Sequence, residues 1–259
     1  MNIYTPAGRA REYSPKALNH YAGCTHGCTY CYVVPMMKKF KSGYDQKNVI
    51  PRFDVLKGLE KSALKAKEQV LLSFTCDPYS EEEPKHRLTR RVLEIFAKCG
   101  TPTAILSKGG VRSLADMDIL KSMGKRVKLG ATLSCMEKKT WIEWEPGAAS
   151  PEERLNALKK AHESGIETWA SLEPVIKSEE TLELIKESNK FVDGYKVGKM
   201  NYQKIDVDWQ KFLLDSVKLL RKLGKRFYIK DELAKHAPEG FVFVGDERNA
   251  DAHAIKGNP

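Results

Sequence analysis

Residues 20–32 hold three of the six cysteines of the chain, spaced C-x3-C-x2-C at Cys24, Cys28 and Cys31. Thiolates are the usual ligands of iron–sulfur clusters, and a [4Fe–4S] cube held wholly by protein takes four of them. Three ligands leave one iron open to something that is not protein, which suits chemistry better than electron storage. Two other readings stand beside this one. Positions i, i+4 and i+7 share a helix face, so the cysteines also fit a buried stripe. Gly23, Gly27, Thr25 and Thr29 favour a loop instead, because glycine is costly inside a helix. Zinc is the second alternative, since Cys and His are its ligands and His26 lies between two of the cysteines. Zinc sites commonly carry two short pairs, and the chain has no second C-x2-C.

A motif of this kind needs a scaffold, and the rest of the sequence alternates between short apolar runs and helical patterns. Strands are expected at 69–74, 103–107, 127–134, 166–172, 191–197 and 226–229, with 241–244 as a last candidate. Helices are expected at 55–67, 86–98, 113–123, 150–164, 178–188 and 208–223, several closed by a glycine. Ser150 and Pro151 supply an N-cap and a first-turn proline. Strands alternating with helices imply parallel βαβ units, and six or more such units fit a (β/α) barrel, complete or open. A doubly wound open sheet would show the same alternation. Polar residues follow each apolar run, where barrels place their chemistry.

The C-x3-C-x2-C spacing with Tyr30 before the last cysteine resembles the radical S-adenosylmethionine (SAM) superfamily. The stretch Gly23-Cys24-Thr25-His26-Gly27-Cys28-Thr29-Tyr30-Cys31-Tyr32 resembles the branch containing spore photoproduct lyase and its DNA-repair-photolyase-like relatives. The likeness covers most of residues 18–200 and implies a partial or complete TIM-like α/β barrel. It implies a [4Fe–4S] cluster on Cys24, Cys28 and Cys31 with SAM chelated to the open iron. One electron, from an external flavodoxin- or ferredoxin-like reductant, would then split the S–C5′ bond. The resulting 5′-deoxyadenosyl radical would take hydrogen from a substrate, here a nucleic acid or nucleotide, in lyase or DNA-repair chemistry.

The same resemblance assigns roles at the strand ends. Relatives read Thr-Asp-Pro-Tyr where this chain has Thr75-Cys76-Asp77-Pro78-Tyr79, so Thr75 and Asp77 are expected near the methionyl ammonium. Phe74 stands where the lyase has its hydrogen-donating cysteine, which leaves Cys76 or Tyr79 for that role. Lys108 is expected at the methionyl carboxylate, Thr132 and Ser134 at the ribose or carboxylate, and Tyr30 among the cofactor contacts. Glu145 and Arg154 match a Glu-Pro…Arg-Leu element and are expected to pair or to reach the cofactor. Pro174-Val175-Ile176 matches a stretch lying under the adenine. Lys196, Lys199 and Tyr202 are candidates for phosphate contact or base stacking. Lys230-Asp231 and Asp246-Glu247-Arg248 are polar strand ends without a role, and Cys99 and Cys135 read as ordinary.

The chain has 259 residues, 41% of them hydrophobic, enough for a sizeable core. A single domain over 1–259 is expected, with its core at 18–200 and 201–259 completing or capping the barrel. No apolar run approaches the roughly 20 residues that cross a bilayer. Residues 1–16 lack the apolar core of a secretion signal, and six cysteines in so long a chain suit a reduced cytosol better than a disulfide framework. Forty-four basic residues against 34 acidic ones give a net charge of +10, which suits a polyanionic partner, although lysine-rich helix faces are ordinarily just solvated. A non-catalytic reading follows: an iron–sulfur or zinc staple in a protein whose basic face, including 38–41 and 87–91, binds nucleic acid.

Overall fold

The structure is a computed structural model that describes residues 3–39 and 45–256. In chain order its strands are β1 (Lys16–Leu18), β2 (Tyr21–Ala22), β3 (Ile50–Pro51), β4 (Val70–Leu72), β5 (Thr103–Ser107), β6 (Val127–Thr132), β7 (Glu167–Leu172), β8 (Gly194–Val197) and β9 (Arg226–Ile229). Seven form one parallel sheet in the order β1-β4-β5-β6-β7-β8-β9, while β2 and β3 pair separately as an antiparallel ribbon. The order follows the chain, as successive βαβ units laid side by side in one direction give. Strands β1 and β9 are both edges of this sheet, so the barrel is partial.

The helices are α1 (Val33–Lys39), α2 (Leu59–Lys65), α3 (Glu83–His86), α4 (Leu88–Cys99), α5 (Met117–Met123), α6 (Lys138–Trp144), α7 (Pro151–Glu163), α8 (Ser178–Ser188), α9 (Trp209–Lys222) and α10 (Asp231–Ala234). Their apolar faces cover the outside of the sheet in two clusters. Leu18, Leu72, Ile105 and Leu129 pack with Leu59, Val92, Leu93, Phe96 and Leu120. Ala170, Leu172, Tyr195 and Ile229 pack with Leu184, Phe212, Val217 and Leu220. Each large aliphatic or aromatic side chain so buried contributes about 1.5–3 kcal/mol. Ser150 and Glu153 close a reciprocal capping box on α7.

The inner face of the sheet is narrower. Ala17, Leu71, Ala104 and Trp169 fill it, and the Trp169 indole N–H donates to the Ile105 carbonyl at 3.1 Å. Residue 130 must be glycine here, because a Cβ would lie 2.4 Å from the indole ring. The N-terminal segment bridges the two unpaired edges. Tyr4 pairs with Ala17 of β1, while the Glu12 carboxylate accepts from the Tyr228 hydroxyl (3.0 Å) and the Asp231 amide (2.7 Å) beside β9. At the opposite end from the strand C-termini, the Lys128 ammonium donates to the His253 carbonyl, so the last described turn lies across the barrel floor.

The structure differs from the sequence reading in several places. Residues 241–244 form no strand; Phe241 and Phe243 stack edge-on at 5.0 Å and pack on the second cluster from a loop, leaving Val242 and Val244 exposed. Alternating apolar residues there reflect side-chain docking without a ladder. The helix expected at 55–67 is a 3-10 turn (Phe53–Leu56) followed by α2, with Lys57 extended between them. Helices α1, α3, α6 and α10 are not among the helices expected from the pattern. Of the basic stretch 38–41 in the non-catalytic reading, residues 40 and 41 lie outside the described residues.

Candidate active site

The C-terminal ends of the strands open into one cavity of about 620 Å³. Cys24, Cys28 and Cys31 all line it, together with Tyr30, Thr75, Cys76, Asp77, Lys108 and Thr132. The cysteine stretch is loop and turn, so the helical-stripe reading falls. Its shape is fixed from several sides. The Cys24 amide donates to the Gln46 carbonyl at 2.7 Å, and the Thr29 amide to the Trp144 carbonyl at 3.0 Å. Gly23 sits at φ +86° against the Asn48 carbonyl, where a Cβ would come within 2.2 Å. His26 is held at both ring nitrogens, Nδ1 3.0 Å from the Gly147 carbonyl and Nε2 2.9 Å from Asp77 Oδ2. Among the described residues, no three His, Cys, Asp or Glu side chains are gathered as ligands of a single metal ion.

Asp77 ties this loop to the next strand. Its Oδ1 accepts from the Tyr79 amide (2.8 Å) and the Ser107 hydroxyl (2.7 Å), and its Oδ2 from the Lys108 amide (2.6 Å). Burial alone would raise its pKa, but His26 and these donors outweigh burial and hold it well below the usual carboxylate range. Glu145 is the second hub. It is fully buried, pairs with Arg154 at 2.5 Å, and accepts from Ser134 Oγ (2.6 Å) and the Tyr30 hydroxyl. Burial opposes its charge, yet Arg154 and Lys108 bring its pKa down to about 2. Lys108 is raised in spite of burial, by Cys28 and Glu145. Burial pushes the thiols of Cys28 and Cys76 up to about 11 and about 12.

Two expected residues lie elsewhere. Tyr79 turns its ring into the outer core and donates its hydroxyl to Asp116 at 3.1 Å, so it is not among the cavity-lining residues. Ser134 stands behind Glu145 rather than at the cavity wall. Cys76 lines the cavity with its Sγ 2.8 Å from Ser73 Oγ. Lys196 is buried and donates to the carbonyls of Glu12 and Tyr13, which removes it from any phosphate. Lys199 is held near His236, 3.0 Å away, whereas Tyr202 is exposed at the mouth under the Arg9 guanidinium at 4.8 Å.

Opposite the cysteines is a wall that sequence reasoning missed. The Glu173 carboxylate accepts from the Tyr13 hydroxyl (2.6 Å), Lys230 (2.5 Å) and the Asn201 amide (3.0 Å). Arg9 donates to Asn201 Oδ1 at 3.1 Å, and Lys230 lies 4.2 Å over the Tyr13 ring. Polar residues just past β7 and β9 were the available signal for Glu173 and Lys230; nothing local marks Tyr13 or Arg9.

A family model described as the Radical SAM superfamily matches residues 18–192. The chain belongs to the radical SAM superfamily. An uncharacterized protein of Methanocaldococcus jannaschii is 30% identical over 179 residues, which are 69% of this chain and 67% of that protein. The chain spans 49% to 67% of the length of the first curated relatives it matches. Spore photoproduct lyase complexed with dinucleoside spore photoproduct aligns with a TM-score of 0.66 at 13% identity, covering 87% of this chain and 78% of the lyase. Streptococcus suis SuiB bound to S-adenosylmethionine aligns with a TM-score of 0.63 at 15% identity, covering 88% of this chain and 53% of SuiB. At such identities the likeness is one of fold, the partial barrel shared by these radical SAM enzymes. No helix among the described residues of this radical SAM chain is long and apolar enough to cross a membrane.

Proposed function

We propose that this radical SAM enzyme holds a [4Fe–4S] cluster on Cys24, Cys28 and Cys31, takes SAM in the same cavity, and acts on a nucleic acid or nucleotide in the cytosol. The observation that carries the reading is convergence: three thiols and a half-buried lysine line one cavity at the mouth of a partial barrel. The donor set fits such a cluster, since it is all thiol and its loop is held in place by protein contacts alone. When bound, the cluster and SAM supply one-electron cleavage of the S–C5′ bond and a 5′-deoxyadenosyl radical that takes hydrogen from the substrate.

The chain's residues would bind and orient these partners. The Lys108 ammonium suits the methionyl carboxylate. Thr75 and Asp77 stand on the side proposed for the methionyl ammonium, with Asp77 contributing field more than contact because its oxygens already accept from protein donors. Thr132 is placed for the ribose, with Tyr30, Ser134 and Arg154 fixing Glu145 behind it. Cys76 is the hydrogen-donor candidate. Its raised pKa keeps the S–H hydrogen on sulfur at neutral pH; transfer to a substrate radical would leave a thiyl on Sγ. One electron from the external flavodoxin- or ferredoxin-like reductant and one proton would restore the thiol. The nucleic-acid assignment is supported by the net charge of +10 and by the dinucleoside held by a protein of the same fold.

Anaerobic protein given dithionite and SAM should release 5′-deoxyadenosine, and Cys28→Ala should abolish that release. One zinc per chain, with no iron, sulfide or 5′-deoxyadenosine, would favour the non-catalytic staple and overturn the proposal.

A further inference from the structure

The proposed chemistry consumes an electron that the chain does not hold, so some surface must receive a carrier. We infer that the patch formed by Ile50, Phe53, Arg87 and Arg91 beside the cysteine loop is the docking site of an acidic one-electron carrier protein. The inference rests on the proposed function for its need of an electron and on separate observations for its place.

Ile50 stands opposite Ala22 in the β2–β3 ribbon, two residues before Cys24. The same return segment is bonded to the cysteine loop through the Cys24 amide and the Gln46 carbonyl at 2.7 Å. A protein seated on the ribbon is therefore separated from the first thiol by little more than two strands. The patch is built for a partner. Ile50 is 52% exposed and Phe53 43% exposed, both large apolar side chains on a surface otherwise rich in charge. The Arg91 guanidinium lies 5.6 Å over the Phe53 ring, and the His86 ring meets it edge-on at 6.0 Å. Arg87, at the N-cap of α4, accepts at its carbonyl from the Arg91 amide at 3.2 Å. Exposed aromatic and arginine side chains are the ones interfaces favour. On the same segment Lys47 and Arg52 are balanced by Asp45 and Asp54, and Glu82 lies 3.4 Å from His86, so the positive charge of the patch rests on Arg87 and Arg91. A positive patch of this size suits the small, electrostatically steered encounters of redox partners.

Two measurements test it. Amide shifts of the labelled apoprotein are followed on addition of oxidised flavodoxin at low salt. Changes confined to residues 47–53 and 86–91 support the site; changes elsewhere, or none, overturn it. A nucleic-acid oligonucleotide that moves the same amides more strongly than flavodoxin also overturns it, in favour of substrate binding. Next, 5′-deoxyadenosine release by Arg87→Glu/Arg91→Glu is compared under two reductants. With dithionite the rate should match the parent; with reduced flavodoxin it should fall about tenfold and lose its salt dependence, as loss of steering charge requires. Equal flavodoxin rates overturn the site. Failure of the parent protein with dithionite counts against the proposed function instead, while the shift map still decides where the carrier sits.

Discussion

The two walls of the cavity are built in different ways. On the cysteine side, most of the thiols and their supports come from one short loop and the strand ends beside it, and the buried pair Glu145–Arg154 is sealed at 0% and 1% side-chain exposure. On the opposite side, Arg9, Tyr13, Glu173, Asn201 and Lys230 come from four separate segments, and the pair Lys230–Glu173 stands at 3% and 14% exposure. The first wall is buried and bonded largely within itself, with the Gln203 side-chain amide donating to its Thr29 carbonyl at 2.8 Å. The second faces the open part of the cavity, and Lys230 keeps a second carboxylate, Glu12, at 3.6 Å. A site that must grip a fixed cofactor and also admit a target is served by this division.

The contrast can be broken by measuring stability. Glu145→Gln leaves Arg154 buried without its counter-charge and should cost about 3–5 kcal/mol in urea unfolding. Lys128, on the floor between the walls, gives the next largest effect. Burial lowers its pKa from 10.5 to about 8. Between those pH values the unfolded chain binds the proton and the folded chain does not, so stability rises with pH through that window and the penalty is fullest below pH 8. The rise should total about 3 kcal/mol, and Lys128→Met should flatten it. Glu173→Gln should cost less, about 2 kcal/mol, because Glu12 remains to partner Lys230. Tyr13→Phe, which removes one hydroxyl bonded to Glu173 and Ser171, should cost about 1 kcal/mol. Equal losses for Glu145→Gln and Glu173→Gln would erase the distinction between the walls.

Much of the first wall was legible because its signals are local. Thiol spacing marks a ligand loop, and a polar residue after an apolar run marks a strand end; Lys108 and Thr132, singled out by the family resemblance, lie at such ends and line the cavity. Strands β5 and β9 and helix α8 have the expected bounds, since their apolar periods are clean and their flanks carry stops. Other elements carry no such signal. Tyr79 follows a strand end like its neighbours, and only packing decides that it turns outward to Asp116. Lys196 is a sequence candidate for phosphate contact, but the two-residue period of β8 turns it inside the barrel, onto the carbonyls of Glu12 and Tyr13. The Asp77–His26 contact joins residues 51 apart in the chain and depends on the two loops meeting. Tyr13 and Glu173 are 160 apart, a separation no local pattern reports.

The segment that bridges the unpaired edges of the sheet also supplies Arg9 and Tyr13. Sealing the flank of the chamber and grasping its occupant are thus tasks of one short stretch. Under the proposed function, an occupant held against Tyr13 would brace the same stretch that closes this flank against bulk water. Shielding would then be strongest while something is there to be protected.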